Sequence, residues 1–132
     1  MSTGDRVPLV RSGYDRFNEQ DLDRLLALFT DDIEWPDVMN GGVLHGISEV
    51  REYFERIFAI TTLHVTVGDV VEIGDAVVAA TYQQFYDLDG KALGEPRMVV
   101  NRFSFRGDLV GRMELTSQED IPQEVRRRFR GF

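Results

Sequence analysis

The feature that most constrains this chain is a set of four long segments after residue 62 in which apolar and polar side chains alternate. Such alternation is typical of β-strands, and the separating pairs contain glycine and aspartate, which tolerate the positive φ of hairpin turns. Each segment is therefore predicted to pair with the next in an antiparallel meander. The predicted strands are 63–73, 76–88, 96–105 and 109–118, separated by Gly74-Asp75, Asp89-Gly90 and Gly107-Asp108.

The part of the chain before residue 62 has the spacing of helices instead. Apolar residues within 8–18 fall on one helical stripe, which predicts a first helix. Asp21 can accept hydrogen bonds from the free N–H groups of a short second helix, which the Asp31-Asp32 pair is expected to end. Ser48 is expected to open a third helix.

Helices followed by a meander predict an α+β domain, because the helices must cover one face of the sheet. Strands of ten or so residues have to twist and coil, which makes the sheet concave. We therefore expect a cone-shaped curved antiparallel sheet of about four long strands plus a short one at 33–37. Three N-terminal helices would pack against it and enclose a pocket. The 132 residues are predicted to form one domain, with 1–7 and 122–132 as tails.

Composition narrows the function classes. A net charge of -8 repels nucleic acid, so we expect no nucleic-acid partner. No segment is apolar over the roughly 18 residues that cross a bilayer, so we expect no membrane partner and a cytoplasmic location. The chain has no cysteine and two histidines, which argues against a dedicated metal site. Phosphate-binding and dinucleotide-binding glycine motifs are missing, so any catalysis should be cofactor-free. The C-terminal basic cluster is interpreted as a solvated tail: Arg126, Arg127, Arg128 and Arg130.

Several short motifs together resemble the nuclear transport factor 2-like superfamily, nearest to SnoaL-like polyketide cyclases and ketosteroid isomerases. They are Asn18-Glu-Gln-Asp21-Leu-Asp23, Leu28-Phe29-Thr-Asp31-Asp32, Trp35-Pro-Asp37, His45-Gly46 and Val50-Arg-Glu-Tyr53-Phe54. The resemblance covers essentially the whole chain. It implies the fold more specifically than the function, because such folds host isomerases, cyclases, hydrolases and binding domains.

The resemblance also implies site residues. Asp37 falls where the isomerases keep the carboxylate that moves a proton, and Asn101 falls where they keep a hydrogen-bond donor to the dienolate oxygen. The position of their helix tyrosine is occupied by Gly13, with Tyr14 one residue, or about 100° of helix, away. His45 precedes the third helix, as in the family, where it could act as acid, base or donor.

Each of these residues also has a structural interpretation. Asp37 follows a proline and could be a turn residue rather than a base at an apolar wall. Asn101 could tie neighbouring strands together, and His45 could anchor a loop. An inward asparagine can nevertheless donate a hydrogen bond at any pH.

Strand alternation extends the candidate pocket. If Asn101 points inward, Arg97, Val99 and Phe103 do too, and the same pattern predicts inward side chains at 78, 80, 82 and 84 and at 112, 114 and 116. An Arg97 or Arg112 contact with Glu114 or Asp37 is then expected, since buried charges need partners. The predicted substrate-binding residues are Tyr14, Phe17, Trp35, Met39, Tyr53, Phe54, Phe58, Ala80, Tyr82, Val99, Phe103, Arg112 and Glu114.

The same alternation would place many apolar side chains on the outer face of the sheet, which predicts a homodimer through that face. The residues concerned are Ala79, Thr81, Phe85, Val100, Phe105, Met113 and Leu115. The preferred hypothesis is cofactor-free proton transfer on a small apolar carbonyl compound, such as a polyketide or steroid-like ring. Asp37 would move the proton, Asn101 with Tyr14 or Tyr82 would hold the oxygen, and His45 would assist. The alternative is a non-catalytic ligand-binding or accessory domain that uses the same cavity.

Overall fold

The computed structural model describes residues 6–116 and has the predicted α+β architecture, a curved open sheet with three helices. The arginine cluster at 126–130 and nearly all of the two predicted tails lie outside the described residues. The elements are α1 (Arg6–Asn18), α2 (Leu22–Leu26), β1 (Phe29–Pro36), β2 (Val43–His45), α3 (Ile47–Ile60), β3 (Thr62–Ile73), β4 (Ala76–Tyr86), β5 (Ala92–Arg106) and β6 (Leu109–Leu115).

The sheet has six strands in the order β2-β1-β6-β5-β4-β3. Strands β3 to β6 form the predicted antiparallel meander. The sheet as a whole is mixed, because β1 lies beside β6 and runs parallel to it, while β2 pairs antiparallel with β1. Strand β1 can lie parallel to β6 because α3 and four strands separate them in sequence, which is long enough for the crossover that a parallel pair requires.

Three register shifts interrupt the meander. They fall between Val67 and Val70 on β3, between Gln83 and Phe85 on β4, and between Ser104 and Phe105 on β5. A bulge bends its strand and increases the local twist. These irregularities accompany the curvature that gives the sheet its concave face.

Two helix boundaries differ from the predicted ones. Asp21 caps α2 as expected, its carboxylate accepting from the N–H of Arg24 at 3.3 Å, but α2 ends at Leu26, and Asp31-Asp32 belongs to β1. Helix α3 begins at Ile47 rather than Ser48, since Gly46 occupies the cap position with φ of 87°, which glycine adopts without strain.

Helix α1 crosses the concave face and is attached to β3 by polar contacts. The Asn18 amide donates to the carbonyl of Val65 at 2.8 Å and accepts from the Val65 N–H at 2.9 Å. Arg11 donates to the carbonyl of Gly68 at 3.1 Å. These bonds fix the helix over the sheet. None of the helices within 6–116 is long and apolar enough to cross a membrane.

Candidate functional site

A cavity of about 130 Å³ lies between the concave face of the sheet and the helices. Its walls are almost entirely aliphatic and aromatic side chains from α1, α2, α3 and the strands. Trp35 is central to the aromatic part, with ring centroids of Phe29 and Phe54 each 5.3 Å from its own. A cavity with walls of this kind favours an apolar occupant.

Nine of the residues proposed from the sequence line this cavity: Tyr14, Phe17, Trp35, Met39, Tyr53, Phe54, Val99, Asn101 and Phe103. Phe58 does not line it; its ring packs beside Phe17 and Phe54 at the edge of the core. Of the two candidate tyrosines, Tyr14 therefore faces the cavity.

The residues proposed on β4 lie on the outer face instead. Ala79 is the partner of Asn101 across β4 and β5, and directly paired residues share a face. The buried face therefore carries Val77, Ala79 and Thr81, each with no exposed surface. Tyr82 is 51% exposed, and Ala80 points the same way.

The inward residues of β6 are also displaced by one position, and a bulge is the cause. Phe105 pairs with Val110, whereas Ser104 pairs with Arg112, which leaves Gly111 as an extra residue on β6. An extra residue inverts the alternation beyond it. Val110, Met113 and Leu115 line the cavity, and the predicted Arg112–Glu114 contact forms outside it, at 3.6 Å, with Glu34 3.7 Å from Arg112.

Asp37 and His45 are not among the residues that line the cavity. The Asp37 carboxylate accepts from the Asn40 N–H at 3.0 Å and from the Asn40 side-chain amide at 3.4 Å, which is the geometry of a turn. His45 is exposed on β2, and its backbone N–H donates to the Glu49 carboxylate at 2.9 Å. The structure thus brings Asn101 and Tyr14 together but not Asp37.

The polar centre of the cavity is a hydrogen bond between β5 and α1. The Asn101 amide donates to the Tyr14 hydroxyl at 2.6 Å, and Asn101 is only 3% exposed. Because the Tyr14 oxygen accepts this bond, its own O–H remains available as a donor. The Asn101 carbonyl oxygen is buried and has no partner among the described residues. The pair therefore offers a donor and an acceptor to an oxygen-bearing ligand.

Burial in this apolar environment raises the pKa of the Tyr14 phenol above its ordinary value. The hydrogen bond from Asn101 lowers the pKa, but by less than burial raises it. Tyr14 consequently keeps its proton, and remains a hydrogen-bond donor, throughout the neutral range. Position 13, where the resemblance implies a tyrosine in the isomerases, is glycine here. A Cβ at this position would lie 3.5 Å from the nearest atom of Leu28 and 3.9 Å from that of Leu25.

Two further polar residues line the cavity: Arg97 on β5, which was expected to point inward, and Gln83 on β4, which was not. They are cross-strand partners. The sequence carries no signal for the inward direction of Gln83, because the predicted two-residue turn Asp89-Gly90 would pair Leu88 with Lys91 and set an even-numbered residue opposite Asn101. In the structure, Tyr86 pairs with Ala92, and Ala79 lies opposite Asn101. The bulge at Gly111 was equally unpredicted.

Charge in the cavity is one-sided. Among its described lining residues there is no aspartate, glutamate or histidine, and Arg97 is the only residue with a formal charge. Residues 6–116 also contain no cluster of three or more histidine, aspartate or glutamate side chains that could hold a metal ion together. The lining therefore supplies hydrogen-bond donors and one cation, but no carboxylate base.

The family of the chain follows from comparison with known proteins. The model of the SnoaL-like domain matches residues 10–113. The chain belongs to this family. The resemblance seen in the sequence is confirmed. Comparison with curated proteins gave no match.

Solved structures share the fold of this SnoaL-like protein. An NTF2-like protein of unknown function from Burkholderia pseudomallei has a TM-score of 0.77 at 22% identity, covering 98% of each chain. A candidate polyketide cyclase from Xanthomonas campestris has a TM-score of 0.73 at 18% identity, covering 97% of this chain and 99% of its own. A Mycobacterium tuberculosis protein in complex with estradiol-17beta-hemisuccinate has a TM-score of 0.74 at 19% identity, covering 86% and 93%. At these identities the likeness shows the fold alone.

The buried phenol predicts a pH-dependent stability. An unfolded Tyr14 ionises near the ordinary pKa of 10.0, whereas the folded residue stays protonated at higher pH. The unfolded state then binds fewer protons, so this contribution to stability is fully present below about pH 10 and is lost as the pH rises. We expect the unfolding free energy from urea titrations to fall more steeply with pH in the wild type than in Tyr14→Phe. Tyr82→Phe is the control for loss of a hydroxyl, and equal slopes for wild type and Tyr14→Phe would contradict the prediction.

Proposed function

We propose that this SnoaL-like protein binds an apolar, carbonyl-bearing small molecule in the cavity and promotes cofactor-free proton transfer in it, as isomerases and cyclases do. The observation that carries the proposal is the hydrogen-bonded pair of Tyr14 and Asn101 inside a largely apolar cavity. A ligand carbonyl can accept from the free Tyr14 O–H. As a neighbouring C–H bond loses its proton, negative charge develops on that oxygen, and a fixed donor in a water-poor site stabilises it.

The proton acceptor in this proposal is Asp37. It lies between Trp35 and Met39, both of which line the cavity, so its backbone borders the site. To reach a ligand, its carboxylate would have to leave Asn40 and turn inward. His45, exposed on β2, keeps only an assisting role from outside the cavity.

Cavity size limits the ligand. A volume of about 130 Å³ is close to that of an engineered cavity of about 150 Å³ that holds benzene. One ring fits within the walls, whereas a polyketide or steroid-like ring system would have to displace them or extend outward. The estradiol derivative bound by the mycobacterial protein supports ligands of the larger kind for this fold.

The second candidate function is non-catalytic binding of the same class of ligand. The observation that favours it is the lack of a carboxylate or imidazole among the described lining residues. In that case the Tyr14–Asn101 pair would orient the ligand without any proton being moved.

We further propose that the protein forms a homodimer through the outer face of the sheet. Most of the apolar residues first expected there are buried or line the cavity, among them Ala79, Phe85 and Met113. The outer face nevertheless carries Tyr82 and Met98, which are cross-strand partners and are 51% and 48% exposed. The cytoplasmic location expected from the sequence remains a prediction.

Binding can be tested with a neutral one-ring ketone, para-methylacetophenone, because Trp35 is the only tryptophan and its fluorescence should report ligand in the cavity. We expect Tyr14→Phe, which keeps the ring beside Phe103, to weaken binding about fivefold to tenfold through loss of one hydrogen bond. Tyr82→Phe is the matched control on the outer face. Binding as strong in Tyr14→Phe as in the wild type would contradict the proposed binding of the ligand oxygen at Tyr14.

Catalysis can be tested by NMR detection of deuterium exchange at the methyl group next to the carbonyl of the same ketone. We expect the wild type to accelerate the exchange and Asp37→Asn to slow it by about a hundredfold or more, with binding retained. Asp89→Asn, in the turn between β4 and β5, should behave like the wild type. Unchanged exchange in Asp37→Asn would eliminate Asp37 as the base, and binding without any acceleration would establish the non-catalytic function.

The dimer can be tested by sedimentation equilibrium. We expect a wild-type dimer and a shift to monomer in Met98→Glu, because a charge would be buried at the proposed interface. Leu88→Glu, a comparably exposed position in the β4–β5 turn, should leave the dimer intact. A wild-type protein that sediments as a monomer at all concentrations would overturn this proposal.

A further inference from the structure

We propose that the ligand carries an anionic group, most simply a carboxylate, at the end opposite its carbonyl, and that Arg97 binds this group. The inference rests on the proposed binding of a carbonyl compound at Tyr14 and Asn101. It adds a second point of recognition, and so defines the substrate class as an apolar keto acid rather than a neutral ketone.

Arg97 and Asn101 occupy inward positions on the same strand, β5. Arg97 and Asn101 are separated by four residues of one strand, and both line the cavity. No register shift falls between them, because Arg97 pairs with Gln83 and Asn101 with Ala79 in an unbroken ladder. Their Cα atoms are therefore about 13 Å apart along the strand. Since both side chains reach into the cavity, a ring with two polar ends can contact both.

The wall between the two ends is apolar. Val99 lies between Arg97 and Asn101 on the same face and is 8% exposed. Across the strand, Thr81 is fully buried, and its hydroxyl donates to the carbonyl of Val99 at 2.8 Å. The Thr81 hydroxyl is therefore already hydrogen-bonded and is not available to a ligand. The middle of the cavity suits a hydrocarbon ring between two polar ends.

The sign of the charge in the cavity favours an anionic ligand. The chain has a net charge of -8, yet the only formally charged residue among the described lining residues is a cation. A guanidinium group presents paired N–H donors that match the two oxygens of a carboxylate. No lining aspartate or glutamate within 6–116 would repel that carboxylate.

Gln83 supplies a supporting contact beside Arg97. Its side-chain nitrogen donates to the Thr81 hydroxyl at 3.3 Å, which holds the amide against the cavity wall. An amide nitrogen has two hydrogens, so the second can donate to an anion that Arg97 binds. Additional hydrogen bonds of this kind help to offset the cost of removing a carboxylate from water.

The experiment compares two ligands that differ only in charge: para-acetylbenzoate and the neutral para-acetylbenzamide. A longer pair, para-acetylphenylpropanoate and its amide, covers a larger span between the two ends. Binding is followed through Trp35 fluorescence. We expect at least one acid to bind roughly tenfold to a hundredfold more tightly than its amide, the range for a charge-assisted hydrogen bond.

Substitution of Arg97 then assigns the preference to that residue. Arg97→Gln should remove the preference for the acid while changing amide binding less than about threefold, and Arg97→Lys should retain part of it because the charge remains. Arg102→Gln is the matched control: it removes the same charge from β5, but Arg102 does not line the cavity. It should leave the preference unchanged, which excludes a general effect of protein charge.

The outcomes separate this inference from the proposed function. If the amides bind and Tyr14→Phe weakens them, but neither acid binds better than its amide, only the role of Arg97 is overturned. An equal loss of the preference for the acid in Arg97→Gln and Arg102→Gln would also overturn the role of Arg97. If no member of either pair binds the wild type, the carbonyl site fails, and the keto-acid assignment fails with it.

Discussion

Two hydrogen bonds between the Asn18 side chain and the backbone of Val65 fix the end of α1 to β3, and the geometry of the cavity depends on that attachment. The amide of Asn18 both donates and accepts, as a residue of a neighbouring strand would. Tyr14 precedes Asn18 by four residues, so both lie on the same face of the helix. Holding Asn18 against the sheet therefore holds the Tyr14 hydroxyl over Asn101.

The chemistry of the cavity depends equally on a backbone irregularity. The extra residue Gly111 turns Arg112 and Glu114 to the outer face, where they pair with one another. Met113 and Leu115 take the inward positions and line the cavity. Without the bulge, two charged groups would face the Tyr14–Asn101 pair and draw water to it. The bulge thus preserves the apolar environment in which one donor can act strongly on a ligand oxygen.

Sequence patterns predicted the architecture well, because alternation, turn residues and the Asp21 cap are local signals. All four strands of the meander were found, with ends within a few residues except at the start of β5. The inward direction of Asn101 and Val99 was also correct. The assignments failed where pairing rather than local pattern decides. Tyr82 was assigned inward because the register of β4 with β5 differs by one position from the expected one, and Arg112 was assigned inward because the bulge on β6 was not predicted. Face assignment depends on register, which single-strand alternation does not contain.

The role that the resemblance implies for Asp37 stays a prediction. A side chain in a turn can satisfy its hydrogen bonds locally, and here the Asp37 carboxylate accepts from Asn40. The direction of the side chains on β5 is set instead by the alternation of the strand. Asn101 and Arg97 are thus placed in the cavity by the same rule. The spacing of two inward side chains on one strand can change only in steps of two residues, about 6.7 Å, so β5 would set the length of a ligand that contacts both residues.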